Sequence, residues 1–263
     1  MRDFYISPVL EKHFSGNPEK VFGAVFRLEG EDYRLVKARR TFRFELDGKG
    51  YFAKVHRGIG WKEIFKDLFQ FKLPILGAGN EFAALELLNA KNIPTMTCAA
   101  FGRRGWNPAR QQSFLITDEL ADMVSLEDFV KDEKFPALRR VIFDTLASSL
   151  GAMHSLGVNH RDCYICHYLL NKEQAVSGNV KLFVIDLHRA QIRKSVPFRY
   201  RVKDVAGILF SSLDLKPSKR ELLRFAAIYS SANFQMKDNR RFWNAVDKAA
   251  RKLYRKEFGR DPE

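Results

Sequence analysis

The amino-acid sequence predicts an α+β protein with two lobes, a small sheet-rich lobe over residues 1–120 and a larger helical lobe over residues 121–263. Strand patterns concentrate in the first part of the chain and helical patterns in the second, as in folds whose sheet and helices are segregated. With 263 residues, 46% of them hydrophobic, the chain has enough apolar material for a substantial core. We therefore expect a folded protein and not a disordered one.

The N-terminal part contains the patterns of several β-strands. Residues 41–46 alternate between apolar and polar types, residues 47–48 are Asp-Gly, and residues 51–55 continue in extended style, which predicts a β-hairpin. Residues 33–37 are expected to add a strand ahead of the hairpin. Residues 113–117 form a short apolar run, which predicts a buried strand.

Helical patterns begin after the hairpin. Residues 81–89 carry apolar side chains on one side of a predicted helix. Residues 137–156 have apolar residues at helical intervals until Gly157, and glycine is typical of a helix C-terminus. Residues 181–187 are apolar and β-branched enough for a strand. The chain after residue 203 is predicted to be helical, with a cationic last helix.

Four charged residues stand in the order of a protein-kinase site. His160-Arg-Asp162 follows the long predicted helix, and Asp186 comes 24 residues after Asp162, at the end of a predicted strand. Lys54 lies on the hairpin and Glu81 near the start of the next helix. Each element alone is a weak signal, but this order on these types of element is that of protein kinases. The sequence therefore predicts a bilobal protein-kinase-like fold that uses ATP and Mg²⁺.

Each of these residues has an expected role in that fold. Phosphoryl transfer depends on neutralising charge on the phosphate oxygens and on orienting the acceptor hydroxyl. We expect Lys54, paired with Glu81, to hold the nucleotide phosphates. We expect Asp186 to bind Mg²⁺ and Asp162 to orient the hydroxyl or accept its proton. ATP is expected between the lobes, with a hinge near residues 118–120.

The predicted nucleotide site departs from the protein-kinase pattern in two places. The sequence has no Gly-x-Gly-x-x-Gly loop, and Lys37, Arg39 and Arg40 stand at the strand entry. We expect Arg40 to contact the nucleotide, and Glu119 to do so at the hinge. His167 stands where kinases have a metal-binding asparagine. Because imidazole prefers softer ions than Mg²⁺, His167 is either a metal ligand or a residue that orients a phosphate or a carboxylate.

The motif segments resemble one enzyme family. Residues 160–167 (HRDCYICH) and 185–191 (IDLHRAQ) closely resemble the lipopolysaccharide core heptose kinase family, as do residues 39–44 and 51–58. The resemblance implies transfer of the ATP γ-phosphate to a hydroxyl of the first inner-core heptose, on a lipid-anchored acceptor at the cytoplasmic face of the inner membrane. The residues alone leave open a kinase for another core sugar or a protein hydroxyl, and a basic pseudokinase that serves as a binding module.

A basic run follows Asp186. It contains six cationic residues and no acidic ones: Arg189, Arg193, Lys194, Arg199, Arg201 and Lys203. A solvated face is one explanation of such a run. Kinases place the loop that meets the acceptor at this point of the chain, so the first five of these residues are predicted to bind an acceptor that carries carboxylates.

Composition restricts the partners and the compartment. The formal net charge of +14 favours an anionic partner. No aromatic RNA-recognition signature occurs, and no nucleic acid is expected. The N-terminus lacks the regions of a signal peptide, and no run is long and apolar enough for a membrane span. We expect a cytoplasmic protein, soluble or peripheral on the cytoplasmic face of the inner membrane.

Residues 61–73 combine an apolar face with lysines. Trp61, Phe65 and Phe69 lie on the apolar face, and residues 71–73 continue the pattern. Such a segment most often packs on its own domain. It is also what an interfacial membrane helix requires, and the same face could receive an acidic partner such as a carrier protein. The sequence leaves these three uses open.

The three cysteines, Cys98, Cys163 and Cys166, are too few for a secreted disulfide framework, which favours a reducing compartment. Two of them stand in a Cys-Tyr-Ile-Cys-His pattern, which also has the form of a haem, zinc or redox motif. Packed thiols beside the catalytic loop are the interpretation that we favour. We expect His160 and Asp204 to have structural roles.

Overall fold

The computed structural model describes residues 3–14, 16–36, 38–69, 74–231 and 239–262. The chain forms two compact units, one up to Asn89 together with Met96–Ala121, and one of Ala90–Thr95 together with the residues from Asp122 onward. The functional lobes 1–120 and 121–263 stay a prediction. Lys37 and residues 71–73, which the sequence analysis used, lie outside the described residues.

The first unit is built around an antiparallel sheet. In the described part of this unit, the sheet has six strands: β1 (Phe4–Ile6), β2 (Glu31–Val36), β3 (Arg39–Leu46), β4 (Lys49–His56), β5 (Cys98–Arg104) and β6 (Gln112–Asp118). Their spatial order is β1-β5-β6-β4-β3-β2. This order places β4 between β3 and β6 and therefore in the interior of the sheet.

The predicted hairpin is confirmed as β3 and β4. The two strands pair antiparallel, with Phe44 opposite Tyr51, and they turn at Asp47 and Gly48, whose φ angles are 51° and 73°. Positive φ at both turn positions is the geometry of a tight hairpin turn, which Asp-Gly favours. The strand predicted ahead of the hairpin corresponds to β2, and the buried strand predicted at residues 113–117 lies within β6.

Helices pack on both faces of this sheet. The described helices of the first unit are α1 (Pro8–Glu11), α2 (Pro18–Val25), α3 (Gly60–Phe69) and α4 (Gly79–Ala90). Phe22 of α2 meets the Phe114 ring edge-on at 4.8 Å, and Phe82 of α4 stacks on Phe101 at 4.1 Å. Phe101 pairs with Leu115, the neighbour of Phe114. Because strand residues alternate between faces, α2 and α4 lie on opposite faces of the sheet. The helix predicted at residues 81–89 is confirmed within α4.

The second unit is mainly helical. Its described helices are α5 (Leu126–Phe129), α6 (Phe135–Ser155), α7 (Lys172–Val176), α8 (Phe198–Ser212), α9 (Lys219–Ser231) and α10 (Asn239–Phe258). Its described strands are β7 (Met123–Ser125), β8 (Val158–Asn159), β9 (Tyr168–Asn171), β10 (Phe183–Val184) and β11 (Gln191–Ile192). Helix α6 packs on α9, and α8 packs on α10. Within the described residues, no helix combines the length and the apolar character that a membrane crossing requires.

These elements confirm the predicted α+β class and the long helix, which is α6. The strand predicted over residues 181–187 is wrong in its length, since β10 covers Phe183–Val184. Asp186 adopts a left-handed backbone, with φ 57° and ψ 48°, and a 3₁₀ turn over Leu187–Arg189 follows it. A left-handed residue cannot continue an extended strand, which is why the pairing ends early.

Gly157 sets the path of the chain out of α6. Its φ is +78°, and a Cβ atom at this position would lie 1.8 Å from the carbonyl oxygen of Arg193. The N–H of Arg193 donates to the Gly157 carbonyl at 2.9 Å. The close approach of β8 and β11 therefore requires glycine for its conformation and for its lack of a side chain.

We expect Gly157→Ala to destabilise the protein much more than Gly178→Ala. Gly178 also has positive φ, +93°, but the space around its missing Cβ is open, so alanine there costs only left-handed strain of about 1–2 kcal/mol. At Gly157 the displacement of the Arg193 backbone adds to that strain, for a total of about 3 kcal/mol or more. Urea unfolding of both variants measures the difference, and equal losses would contradict the packing role of Gly157.

Candidate active site

An ion pair between Lys54 and Glu81 is the candidate functional cluster of the first unit. Lys54 lies opposite Leu115 across β4 and β6, so it projects from the sheet face on which α4 packs. Its Nζ atom lies 2.6 Å from Oε1 of Glu81, whose side chain is fully buried. The other oxygen, Oε2, is buried and has no hydrogen-bond partner among the described residues.

The burial of this pair is informative about function. Desolvation offsets most of the attraction between buried charges, so such a pair is a weak indicator of stability. Buried charged groups with a specific charged partner occur at functional sites more often than elsewhere in a protein. The distance agrees with the predicted pairing of Lys54 and Glu81, whereas contact of Lys54 with a nucleotide stays a prediction.

Two other residues predicted to contact the nucleotide have partners inside the first unit. Arg40 donates from Nε to Asp32 at 2.6 Å and from Nη1 to the Leu28 carbonyl at 2.8 Å. Glu119 accepts two hydrogen bonds of 2.8 Å from Arg43. Nucleotide binding by Arg40 and Glu119 stays a prediction. If these side chains contact the nucleotide, they do so while their hydrogen-bond partners hold them in place.

In the second unit, the buried carboxylate of Asp204 on α8 fixes the backbone of the segment His160–Asp162, which the sequence predicts to be catalytic. Its Oδ2 accepts a hydrogen bond from the N–H of His160 at 2.6 Å, and its Oδ1 accepts one from the N–H of Arg161 at 2.8 Å. Arg161 has a φ of 76°, a conformation that costs a non-glycine residue about 1–2 kcal/mol. Hydrogen bonds to a charged group contribute about 1.5–3 kcal/mol each, which offsets this strain. The predicted structural role of Asp204 is confirmed.

A histidine and a tyrosine extend the network around Asp204. Nε2 of His154 lies 3.3 Å from Oδ2 of Asp204, and Nδ1 of His154 lies 2.8 Å from the hydroxyl of Tyr229. All three side chains are buried, and burial raises the pKa of Tyr229, so the hydroxyl keeps its proton. Neither His154 nor Tyr229 was predicted from the sequence to belong to the site. Their only local signal was the position of His154 six residues before His160.

His160 is a neutral residue that holds the loop together. Its Nε2 lies 2.9 Å from the carbonyl oxygen of Ile185, and because a carbonyl oxygen only accepts, Nε2 carries the proton and donates it. Nδ1 is buried and, among the described residues, has no hydrogen-bond partner. Burial lowers the pKa of His160, which favours the neutral ring. These features agree with the predicted structural role.

Two histidines flank the carboxylate of Asp186. Nδ1 of His188 lies 2.6 Å from Oδ1 of Asp186, and Nε2 of His167 lies 3.6 Å from Oδ2. The Nδ1 atom of His167 donates to the main-chain carbonyl of Asp162 at 2.7 Å. The His167 ring therefore links the segment of Asp162 to the side chain of Asp186. The role of His167 as a metal ligand stays a prediction. His188 was not predicted from the sequence to belong to the site.

Arg189 holds the carboxylate of Asp162. Its Nη1 atom lies 2.9 Å from both Oδ1 and Oδ2 of that residue, and Nζ of Lys203 lies 3.9 Å from Oδ1. Burial lowers the pKa of Lys203 and that of Arg161, and the charge of Arg189 lowers both further. One carboxylate thus lies among several cations, and this excess of positive charge attracts a further anionic group.

Comparison with known proteins identifies the family of this site. The sequence model of the lipopolysaccharide kinase (Kdo/WaaP) family matches residues 24–229. The chain belongs to this family. The lipopolysaccharide core heptose(I) kinase WaaP of Pseudomonas aeruginosa PAO1 is 46% identical over 255 residues, which cover 94% of this chain and 95% of the relative. The Escherichia coli K12 enzyme of the same name is 43% identical over 213 residues, which cover 79% and 80%.

A solved structure agrees with this assignment. The structure described as WaaP in complex with acyl carrier protein matches this chain with a TM-score of 0.80 and 39% sequence identity, over 97% of this chain and 100% of that one. The predicted resemblance to the heptose kinases and the predicted kinase-like fold class are confirmed.

The other cations predicted to bind the acceptor of this Kdo/WaaP family member differ in their surroundings. Arg193 donates to the side-chain oxygen of Asn159 at 2.6 Å, which joins β8 to β11. Lys194 and Arg199 are exposed. The guanidinium of Arg201 lies 5.5 Å from the centre of a phenylalanine ring of α10. Acceptor binding by these residues stays a prediction.

The cysteine pattern of this family member fits packed thiols. Sγ of Cys163 lies 3.6 Å from the hydroxyl of Tyr168, and burial raises the pKa of Cys163 well above its ordinary value. Burial also raises the pKa of Cys166 to about 11. Both thiols are therefore protonated near neutral pH and are poor nucleophiles.

The carboxylate of Asp186 fits a magnesium ion. Mg²⁺ prefers oxygen ligands and is usually held by one or two carboxylates, with substrate phosphates and waters completing its coordination. In the part of the chain that the structure describes, no group of three or more His, Cys, Asp or Glu residues is arranged to hold a metal ion. A single carboxylate, with phosphates and waters as the further ligands, would match the preference of Mg²⁺ better than that of zinc. Metal binding by Asp186 stays a prediction.

We expect the stability of the protein to fall as the pH drops below about 6.5, in part because of His160. Its pKa is lowered by burial, so the unfolded chain binds a proton that the folded protein excludes, and the free energy of unfolding decreases as the pH falls. His160→Gln retains a donor for the Ile185 carbonyl and does not titrate. Urea unfolding at pH 7.5 and 5.5 should show a smaller loss for the variant than for the wild type. Equal losses would contradict this origin of the pH dependence.

Proposed function

We propose that this protein is an ATP-dependent kinase that phosphorylates a hydroxyl of the first heptose of the lipopolysaccharide inner core. The observation that carries the proposal is its identity of 46% and 43% to two heptose(I) kinases over most of both chains. The matched family region, residues 24–229, includes Lys54, Glu81, Asp162 and Asp186. The two charged clusters described above therefore lie in the part of the chain that is shared with the family.

The proposed reaction moves the γ-phosphoryl group of ATP to a sugar oxygen. A bond forms between the hydroxyl oxygen and the γ-phosphorus, the bond from that phosphorus to the β–γ bridging oxygen breaks, and ADP leaves with the bridging oxygen. Asp162 orients the hydroxyl and accepts its proton. Most of the rate enhancement in such reactions comes from positioning the hydroxyl and from neutralising charge on the phosphate oxygens. The residues around Asp162 and the nucleotide are proposed to supply both effects.

Lys54 and Asp186 are the proposed contacts of the nucleotide. Lys54, held in place by Glu81, neutralises charge on the α- and β-phosphates. Asp186 would hold Mg²⁺, which supplies further positive charge to the phosphates when it is bound. The 2.6 Å contact between Lys54 and Glu81 supports the first role, and the oxygen chemistry of Asp186 supports the second. Arg40 and Glu119 remain proposed secondary contacts of the nucleotide.

Arg189 has a proposed role in addition to acceptor binding. Its two contacts of 2.9 Å with the carboxylate of Asp162 support a role in orienting the base toward the sugar hydroxyl. A bridging guanidinium restricts rotation of a carboxylate, and such preorganisation lowers the cost of reaching the reactive geometry. We infer that Arg189 positions Asp162, while the exposed Lys194 and Arg199 attract anionic groups of the acceptor.

The acceptor is proposed to be a lipid-anchored core oligosaccharide, and the reaction to occur at the cytoplasmic face of the inner membrane. ATP is available on that side of the membrane. The net charge of +14 supports contact with an anionic acceptor and with anionic lipid headgroups. The protein would act as a peripheral enzyme at that surface.

An acidic carrier protein is a proposed partner. A similar structure is described as WaaP in complex with acyl carrier protein, and this chain matches it over 97% of its own length. The strongly positive net charge of this chain is complementary to an acidic protein. These two observations support binding of a carrier protein by this chain as well.

Asp162→Asn is expected to lower the rate of phosphoryl transfer by about 10²- to 10⁴-fold, because asparagine cannot accept the proton of the hydroxyl. The matched control is Asp122→Asn, since Asp122 is exposed and has a φ of 57°, a conformation that asparagine tolerates. The measurement is transfer of labelled γ-phosphate to purified deep-core lipopolysaccharide, with a protein acceptor in parallel.

Three results would separate the alternatives. Labelling of the core oligosaccharide by wild type and Asp122→Asn, but not by Asp162→Asn, supports the proposal. Labelling of the protein acceptor alone would contradict the sugar acceptor. An absence of turnover with any acceptor, together with no thermal shift by Mg·ATP, would identify a binding module instead of an enzyme.

Arg189→Gln and Lys194→Gln should affect different kinetic constants. Loss of Arg189 removes the group that orients Asp162, so we expect kcat to fall by roughly tenfold or more with a smaller change in the acceptor KM. Loss of the exposed Lys194 removes only attraction to the acceptor and should raise KM with kcat retained. Steady-state kinetics with varied acceptor concentration measures both constants. A pure KM effect of Arg189→Gln would assign Arg189 to acceptor binding alone.

A further inference from the structure

We propose that helix α3 binds the surface of an anionic lipid bilayer. The helix has ten residues, and four large apolar side chains on it are exposed: Trp61, Phe65, Leu68 and Phe69. Phe69 is 84% exposed, whereas Ile64 is buried. Ile64 thus attaches the helix to its own unit, while about half or more of the surface of each of the other four side chains stays exposed.

The exposed residues form a continuous stripe. Trp61, Phe65 and Leu68 follow one another at intervals of four and three residues, which places them on one face of the helix. The rings of Trp61 and Phe65 stack with their centres 5.7 Å apart. Single exposed apolar residues are ordinary on a protein surface, but a contiguous apolar stripe marks an interaction site.

A second exposed tryptophan lies on the loop that contacts the start of α3. The N–H of Gly60 donates to the carbonyl of Ala109 at 2.9 Å, and the same loop between β5 and β6 carries Trp106, which is 93% exposed. Two of the three tryptophans of the chain are therefore exposed on adjoining segments. Tryptophan is enriched at the boundary between lipid and water, because its ring is apolar and its N–H is polar.

Cations accompany the tryptophans. Lys62 and Lys66 on α3, Arg57 before it and Arg110 on the adjoining loop are all exposed. Because α3 also carries Glu63 and Asp67, and Lys66 lies 2.8 Å from Glu63, the excess positive charge among these residues comes from Arg57 and Arg110. Positive side chains next to a bilayer are attracted to anionic headgroups, while aromatic side chains enter the interfacial layer. An anionic bilayer accommodates both kinds of side chain, the cations at the headgroups and the exposed rings in the interfacial layer. The combination therefore favours lipid.

This surface would give the proposed kinase access to its lipid-anchored acceptor, and its biological purpose rests on that function. Binding to lipid is nevertheless measurable without ATP or acceptor. The test uses the full-length protein and two kinds of vesicle, one of phosphatidylethanolamine with phosphatidylglycerol and one of phosphatidylcholine alone. Flotation with vesicles over a range of lipid concentrations gives the partition coefficient.

The main variant is Trp61→Ser combined with Phe65→Ser. Phe258→Ser is its control, because Phe258 on α10 has the same exposure as Phe65, 51%. We expect the wild type and the control to bind anionic vesicles equally. The double variant should bind roughly tenfold more weakly or worse, since each buried aromatic ring contributes strongly to transfer from water. Lys62→Gln with Lys66→Gln, which leaves the apolar stripe intact, should weaken binding at low salt and reduce its salt dependence.

Several results would overturn the proposal. Failure of the wild type to bind anionic vesicles at low salt would do so, as would equal binding by the wild type and both α3 variants. Loss of co-purified carrier protein from the α3 variants, with vesicle binding retained, would make the stripe a protein-docking surface. Urea unfolding verifies that the variants fold.

Enzyme assays separate this inference from the proposed function. The α3 variants should phosphorylate delipidated core oligosaccharide as the wild type does, but should be slower on acceptor embedded in vesicles. If the wild type binds vesicles and phosphorylates neither acceptor, the proposed function fails while the lipid-binding surface stands.

Discussion

One buried carboxylate, that of Asp204, determines the backbone path of the segment His160–Asp162, which carries the proposed base. It is fully buried and accepts hydrogen bonds from the backbone N–H groups of His160 and Arg161. A buried carboxylate without such donors would cost several kcal/mol, so the backbone that supplies them is restricted to one path. Arg161 is left-handed on that path, and Asp162 follows it directly. The position of the proposed base thus depends on a residue of another helix that acts through the main chain.

The charged side chains of the two candidate clusters, one in each unit, share a second property: close partners fix their direction. Glu81 lies 2.6 Å from Lys54, and Arg189 bridges both oxygens of Asp162. Partners of this kind add little to stability, because desolvation offsets their attraction. They do reduce the rotamer freedom that would otherwise be lost when substrate binds, so their benefit appears in preorganisation for phosphoryl transfer.

The elements that the sequence predicted well have local causes. The turn at residues 47–48 follows from the positive φ that Asp-Gly tolerates, and α6 follows from an apolar period that ends at Gly157. The order of the charged motif residues could also be predicted from the sequence. The contact of Arg189 with Asp162 could not be predicted, because it depends on the left-handed turn at Asp186 and on side-chain rotamers. No spacing in the sequence encodes those features.

His167 shows how one departure from the protein-kinase pattern alters the chemistry around Asp186. Its Nδ1 proton is used by the main-chain carbonyl of Asp162, and its Nε2 lies 3.6 Å from Oδ2 of Asp186. A neutral ring in this orientation presents a lone pair to a carboxylate oxygen, and two acceptors at that distance repel each other. A cation that both atoms contacted would remove the repulsion, which agrees with the proposed binding of a metal ion by Asp186. An asparagine at this position could turn either its oxygen or its N–H group toward the carboxylate. Histidine therefore makes the arrangement beside the proposed metal-binding aspartate depend more strongly on a cation.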